Sequence, residues 1–378
     1  MKKEVKRSKM FRSVLMVACM ISAMAGKAQF NDNPTLKIGD PAPPVKVKAW
    51  VKGKPVTKFE KGKVYVIDFW ATWCGGCIAS FPQINAIEEK YKGKVTFFSV
   101  DSYEDAGDNK DKDPVLVVKE FLQKPQGQKL KLNVCVDGNE KAMYNVWIKT
   151  LRRQGFPTTF IIDQEGRIAW IDVNLDQLDW ALQQVLAKTW DRNKAADIMK
   201  KRDKVEDMLM AGFRDTTLDK KTQMKAMLAT IGAFEQQYPD RKDAVAFYKF
   251  FALLEMDRSA VTPVLEQMEK DPLSRYLNLS DASYLGLQKD DLSRDSYATI
   301  ARICERLLLY PYPEKGYGGK TVANYKNLAD AYERAGESTK AVAAIDKAIT
   351  IATDKKAPEK EIKELQEARK KYNTVKAG

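Results

Sequence analysis

Asp68-Phe69-Trp70-Ala71-Thr72-Trp73-Cys74-Gly75-Gly76-Cys77 is the stretch on which the reading of this 378-residue chain turns. Upstream of the thiols, Val64 to Trp70 carries apolar residues on both alternating faces, the pattern of a central strand covered on both sides. From Cys74 to Tyr91 the spacing becomes helical, with Ile78, Phe81, Ile84, Ile87 and Tyr91 on one stripe and a kink expected at Pro82. A strand therefore runs into a helix, with two cysteines three positions apart at the helix start. Side chains at i and i+3 lie roughly 5–6 Å apart at Cβ, close to what a disulfide requires. The helix N-terminus favours a thiolate at the first sulfur, and the thiolate is the nucleophile. Such a pair can open and close without unfolding anything, which is the apparatus of dithiol–disulfide exchange.

The pattern continues outward from this core. Residues 29–36 read as a flexible start, followed by a rigid lead-in at Lys37-Ile38-Gly39-Asp40-Pro41-Ala42-Pro43-Pro44. Two short strands are expected to flank the turn at Lys52-Gly53-Lys54-Pro55, and Val95 to Val100 is a second buried strand. Asp101 to Pro114 is acidic and patternless. A helix over Val115–Gln123, a strand over Leu132–Val136 and a helix near Glu140–Trp147 come next. Thr158–Ile162 and Ile168–Val173 form a hairpin, and a helix from Leu175 to about Lys188 closes the unit. Alternating strands and helices ending in a hairpin plus helix predict a mixed α/β sheet. Beyond Thr189 almost everything is amphipathic helix. There Tyr325, Leu328, Ala329 and Tyr332, then Ala341, Ile345 and Ala348, follow the tetratricopeptide arrangement of large, small and aromatic positions. The expected division is 1–28 leader, 37–188 α/β domain and 192–378 helical-repeat domain.

The leader reading rests on a basic start, Met1 to Lys9, an uncharged run from Ser13 to Gly26, and small residues at Ala23, Ala25 and Ala28. The run has 14 residues, short of the roughly 20 a spanning helix needs. A secretory signal peptide cut near Ala25 or Ala28 is expected, ahead of an uncleaved anchor or a lipoprotein acylated at Cys19, so the protein is placed outside the cytoplasm. Residues 1–28 hold seven Lys/Arg and one Glu, so they account for +6 of the net +13. The remaining charge is spread over helices that also carry acids, and no basic stripe interleaved with aromatics marks a nucleic-acid binder.

Cysteine and histidine usage narrow the chemistry. Four cysteines remain after the leader (Cys74, Cys77, Cys135 and Cys304), too few and too scattered for a disulfide scaffold. The chain has no histidine, which excludes Cys-His and Ser-His-Asp hydrolases and haem attachment through C-x-x-C-H. No second C-x-x-C is present to complete a zinc site, so neither a metal nor another cofactor is expected. Cys135 in an apolar strand and Cys304 on an apolar helical face read as buried structural thiols.

Three companions sharpen the C-x-x-C: the aromatic approach Phe69 to Trp73, Asp68 in the preceding strand, and Gly155-Phe156-Pro157-Thr158-Thr159-Phe160 downstream. With these, and with Gly39-Asp40-Pro41-Ala42-Pro43 and Phe160-Ile161-Ile162-Asp163-x-x-Gly166, the chain resembles the thioredoxin-fold, TlpA-like and ResA-like thiol–disulfide oxidoreductases over about Lys37 to Lys188. The resemblance implies an α/β thioredoxin-like fold in which a helix and strand are inserted between Cys77 and Pro157, followed here by the all-α extension. It also implies that Pro157 is a cis-proline facing the disulfide and presenting the Phe156 backbone to an extended substrate. Electrons would come from a membrane-bound thiol reductant.

Cys74 is the expected nucleophile and Cys77 the resolving thiol. Asp68, a carboxylate in an otherwise apolar strand, should have its pKa raised by burial and so be suited to exchange a proton with Cys77. Many ResA-like relatives carry Asn at that place and a Glu three residues after the second cysteine; here the latter position is Ser80. Trp73, with Phe156 and Pro157, is assigned to the substrate platform, and Trp70 to the core. The expected substrates are protein disulfides, with reduction, isomerisation and oxidation left open. A competing reading makes the helical half a protein-binding module and the redox domain vestigial. A peroxiredoxin is disfavoured because its P-x-x-x-T-x-x-C pattern would need Thr at Ala71.

Overall fold

The computed structural model describes residues 29–31, 33–106, 109, 111–172, 175–214, 219–274, 276–309 and 319–373. The leader and Cys19 lie outside these residues. The chain divides between Asp197 and Ile198 into two compact units.

The first unit is built on a six-stranded sheet. Its strands are β2 (Ala49–Lys52), β3 (Val64–Trp70), β4 (Val95–Asp101), β5 (Asn133–Val136), β7 (Thr158–Ile162) and β8 (Ile168–Asp172), in the order β2-β5-β4-β3-β7-β8. The pairs β3–β4 and β4–β5 are parallel, while β2, β7 and β8 run antiparallel to their neighbours. This is the mixed thioredoxin-like sheet. Three helices cover it: α1 (Gly75–Lys90), α2 (Pro114–Gln123) and α3 (Leu175–Leu186).

All seven residues of β3 are buried. Val64, Val66 and Trp70 pack with Phe81 and Ile84 of α1, Val118 and Phe121 of α2, and Leu178 and Leu182 of α3. Phe69 points the other way and meets Trp147 and Phe160 at 6.1 and 5.6 Å between ring centroids. Each buried aromatic or large aliphatic side chain stabilises the fold by about 1.5–3 kcal/mol, so this strand is the mechanical centre of the unit. The helix α1 runs on through Pro82. Its far end is tied to α3, where Tyr91 Oη donates to Asp179 Oδ1 at 2.8 Å and Lys90 pairs with the same carboxylate at 2.7 Å.

Three expectations are corrected. The segment 29–36 is not a free start: Gln29–Phe30 (β1) pairs antiparallel with Arg153–Gln154 (β6), and Thr35 N donates to Thr150 O at 3.0 Å. No strand follows the turn at 52–55. Instead Gly53 adopts a φ of +74° and Lys54 N donates to the Asn133 side chain at 2.9 Å, which takes the chain off the sheet edge. The helix near Glu140–Trp147 is largely a π-helical turn, Tyr144–Ile148, whose start is held by the Asp137 carboxylate.

The second unit is helical throughout its described residues: α4 (Arg192–Arg214, beginning in the first unit), α5 (Lys220–Gln237), α6 (Asp243–Met256), α7 (Val261–Lys270), α8 (Tyr276–Leu287), α9 (Arg294–Leu308), α10 (Gly319–Ala335), α11 (Ser338–Asp354) and α12 (Glu359–Asn373). Between α10 and α11, Gly336 takes a φ of +86° and reverses the chain. Leu328, Ala329 and Tyr332 of α10 and Ala341, Ala344, Ile345 and Ala348 of α11 are buried, and the small residues let the two backbones approach closely. The polar helix α12 is fastened to α11 by the Arg369–Asp346 pair. No helix among the described residues is long and apolar enough to cross a membrane.

Candidate active site

The site sits at the carboxyl end of β3, where a strand buried along its whole length delivers Ala71-Thr72-Trp73 to the first turn of α1. Cys74 is the N-cap, with φ −80° and ψ 93°, and its sulfur accepts from Cys77 N at 3.2 Å. Cys74 and Cys77 form a disulfide with a Cα–Cα distance of 5.3 Å. Both cysteines are buried, Cys77 completely and Cys74 to 7% exposure, so Cys74 is the more accessible residue of the pair. Once the bond is reduced, the amide that now points at Cys74 Sγ becomes a donor to a thiolate there.

Two loops flank the sulfurs. In the first, the Phe156–Pro157 peptide is cis. This loop lies over the thiols closely enough that a Cβ on Gly76 would sit 3.9 Å from Pro157 Cδ. Phe156 also packs against Trp73 at 6.1 Å between centroids. The second loop follows β4. Tyr103, at a φ of +67°, accepts at its carbonyl the indole N–H of Trp73 at 3.0 Å. Glu104 accepts from both Thr72 N and Thr72 Oγ1 at 2.6 Å. The turn before the nucleophile is thus held by hydrogen bonds at two successive residues. Tyr144 bridges the loops, lying against Tyr103 at 4.7 Å between centroids and meeting Phe156 edge-on at 6.1 Å. Trp73, Phe156, Tyr144 and Tyr103 form a continuous half-buried aromatic wall beside the disulfide. Sequence pattern does not single out Tyr103, Glu104 or Tyr144: the first two lie in the patternless acidic segment, and Tyr144 reads only as part of a helix.

Asp68 is 1% exposed, on the sheet face covered by α1. Thr159 Oγ1 donates to its Oδ1 at 3.1 Å and Ser99 Oγ to its Oδ2 at 3.3 Å. Desolvation outweighs these two hydrogen bonds, and the carboxyl is pushed up from 3.8 to about 7. It can therefore hold or release a proton near neutrality. Thr159 follows Pro157 by two residues, so one short segment supplies both the loop over the sulfurs and a partner for the acid. Trp70 is core. Cys135 and Cys304 are buried, and desolvation raises both thiols, Cys304 to about 12. Among the described residues no group of three His, Cys, Asp or Glu side chains could hold a metal ion.

Residues 37–181 match the family model described as Redoxin. Protein FixW of Rhizobium leguminosarum is 28% identical over 206 residues, 53% of this chain and 90% of that protein. The thiol-disulfide oxidoreductase ResA of Bacillus thuringiensis (strain Al Hakam) is 31% identical over 140 residues, 37% of this chain and 71% of that protein. Among solved structures, StoA from Bacillus subtilis is 21% identical with a TM-score of 0.29, covering 38% of this chain and 99% of its own.

Proposed function

Since this chain belongs to the ResA-like thiol–disulfide oxidoreductases, we propose that it exchanges disulfides with extracytoplasmic proteins through Cys74 and Cys77, with Asp68 as the internal base. The observation that carries the reading is a disulfide at a helix N-terminus whose first cysteine is the N-cap and the more accessible of the two.

In the reducing direction the Cys74 thiolate attacks a substrate disulfide, forming a mixed disulfide and expelling one substrate thiolate. Cys77 then gives its proton toward Asp68 and attacks Cys74 Sγ. The second substrate thiolate leaves, and the Cys74–Cys77 bond seen here is the oxidised product. Two electrons pass to the substrate, and a membrane-bound thiol reductant resets the pair. Trp73, Phe156 and Pro157 would receive the extended chain on either side of the substrate cysteine. Buffering of Asp68 near neutrality suits the resolving step, because a general base is most effective when its pKa lies near the working pH. Export is supported by the composition of residues 1–28.

The α10–α11 hairpin favours a role for the second unit as well. Its alternation of small and aromatic buried residues fits a tetratricopeptide-like module, and we assign it to docking a protein partner.

The test is reduction of a protein disulfide by the full chain, together with the reduction potential of the pair. Cys74→Ser should abolish turnover while Cys77→Ser accumulates the mixed disulfide. Wild-type protein with no exchange activity would refute the redox reading and leave the helical module as the working part.

A further inference from the structure

Three acids lie together at the carboxyl ends of β3, β4 and β5: Asp101, Glu104 and Asp137, which are 0, 4 and 2% exposed. They differ in how they are satisfied. Asp137 accepts from Met143 N, Tyr144 N and Ser102 Oγ at 2.7, 2.8 and 2.7 Å. Glu104 accepts from Thr72 N, Thr72 Oγ1 and Asn109 Nδ2 at 2.6, 2.6 and 3.2 Å. Neither Asp101 oxygen has a hydrogen-bond donor. The acid that bears most on Asp101 is Glu104, whose carboxylate accepts and cannot donate while ionised.

A buried carboxylate without a donor neutralises by taking up a proton, and a second carboxylate beside it strengthens that tendency. The carboxylates facing Asp101 both work in this direction, Glu104 from the turn after β4 and Asp137 from the end of β5, while the Cys135 thiol is neutral. Burial first, and then these carboxylates, hold Asp101 well above the usual range. With one proton on Asp101 the contact becomes a carboxyl–carboxylate hydrogen bond, and Glu104 gains a further donor.

We propose that Asp101 is a positioning residue: it keeps a proton, donates it to Glu104, and so completes the set of bonds that hold the Thr72–Trp73 turn and, through it, Cys74. Asp101 touches neither sulfur. Its influence runs through Glu104 to the backbone two residues before the nucleophile. The kinetic part of this inference rests on the exchange function proposed above; the protonation part does not.

Infrared difference spectroscopy on the full chain tests the proton. At about pH 8.5, in an Asp68→Asn background that removes any residual protonated Asp68, the carbonyl band of a protonated carboxyl should be present and should vanish on adding Asp101→Asn. Alkylation of Cys74 in the reduced protein by iodoacetamide tests the positioning. Asp101→Asn should stay within about twofold of wild type because its amide N–H still donates to Glu104, whereas Asp101→Ala should change the rate by about tenfold. A background protein without the band, or an Asn variant as perturbed as the Ala variant, overturns the proposal. If Asp101→Ala does not fold, the infrared comparison decides alone. A protein that shows the band yet exchanges no disulfides would sink the functional reading and leave the protonated pair standing.

Discussion

Replacing Asp68 with Asn should stabilise the first unit above neutral pH while slowing exchange. The substitution is isosteric and keeps the local network, because the hydroxyls of Ser99 and Thr159 can each donate or accept. What it removes is a buried charge. The carboxyl moves from 3.8 to about 7 on folding, and about three decades at 1.4 kcal/mol each set a ceiling of about 4 kcal/mol. The sign follows from proton binding. Between the two values the native state holds a proton that the unfolded chain has lost. The stability linked to Asp68 is therefore fully present below pH 4 and is lost as the pH rises through 7. Asn does not titrate. The stability difference, variant minus wild type, should be near zero at pH 4, grow toward about 4 kcal/mol by pH 7 and then stay level. All other carboxyls cancel in that difference.

Urea unfolding of the oxidised protein, followed by tryptophan fluorescence, reads the effect. All seven tryptophans, from Trp50 to Trp190, belong to the first unit, so the helical unit is silent in this signal. In parallel, resolution of the mixed disulfide at pH 7 should slow by roughly 10²-fold, the usual contribution of a positioned base. A pH-independent difference, or a variant less stable than wild type at pH 8, would refute the reasoning about burial.

Other outcomes follow from the same geometry. Phe156→Ala should lower kcat/KM for a protein disulfide by about tenfold while leaving reaction with a small disulfide reagent nearly unchanged, because it removes aromatic wall and not sulfur chemistry. Gly127→Ala should destabilise the first unit by about 2–4 kcal/mol in urea titrations, since the new Cβ would fall 2.1 Å from the Phe121 carbonyl oxygen and 2.7 Å from Leu122 Cα. Asn85→Ala should cost about 1–3 kcal/mol in the same assay, because Asn85 Nδ2 donates to Lys129 O at 2.6 Å and its Oδ1 accepts from Lys131 N at 3.0 Å.

The parts of the fold legible in the sequence were those that bury continuous apolar surface. β3, α1, β4 and the β7–β8 hairpin all announce themselves by local periodicity, and the C-x-x-C marks the junction between the first two. The β1–β6 pair was invisible because it joins two-residue segments more than a hundred positions apart, and nothing local signals such pairing. At the site, the two cysteines, Asp68 and the Phe156–Pro157 loop could be singled out from residue type and neighbours. Ser99, Tyr103, Glu104 and Tyr144 could not, since their importance lies in which distant backbone group they meet. Asp101 looked like one more acid in an acidic loop. Only its burial without a donor separates it from the others.

The β1–β6 pairing has a practical corollary. Gln29 lies opposite Gln154, two residues before Phe156. Trimming the chain past Phe30 would remove this rung, so the shortest form that keeps the entrance to the Phe156–Pro157 loop braced begins at Gln29.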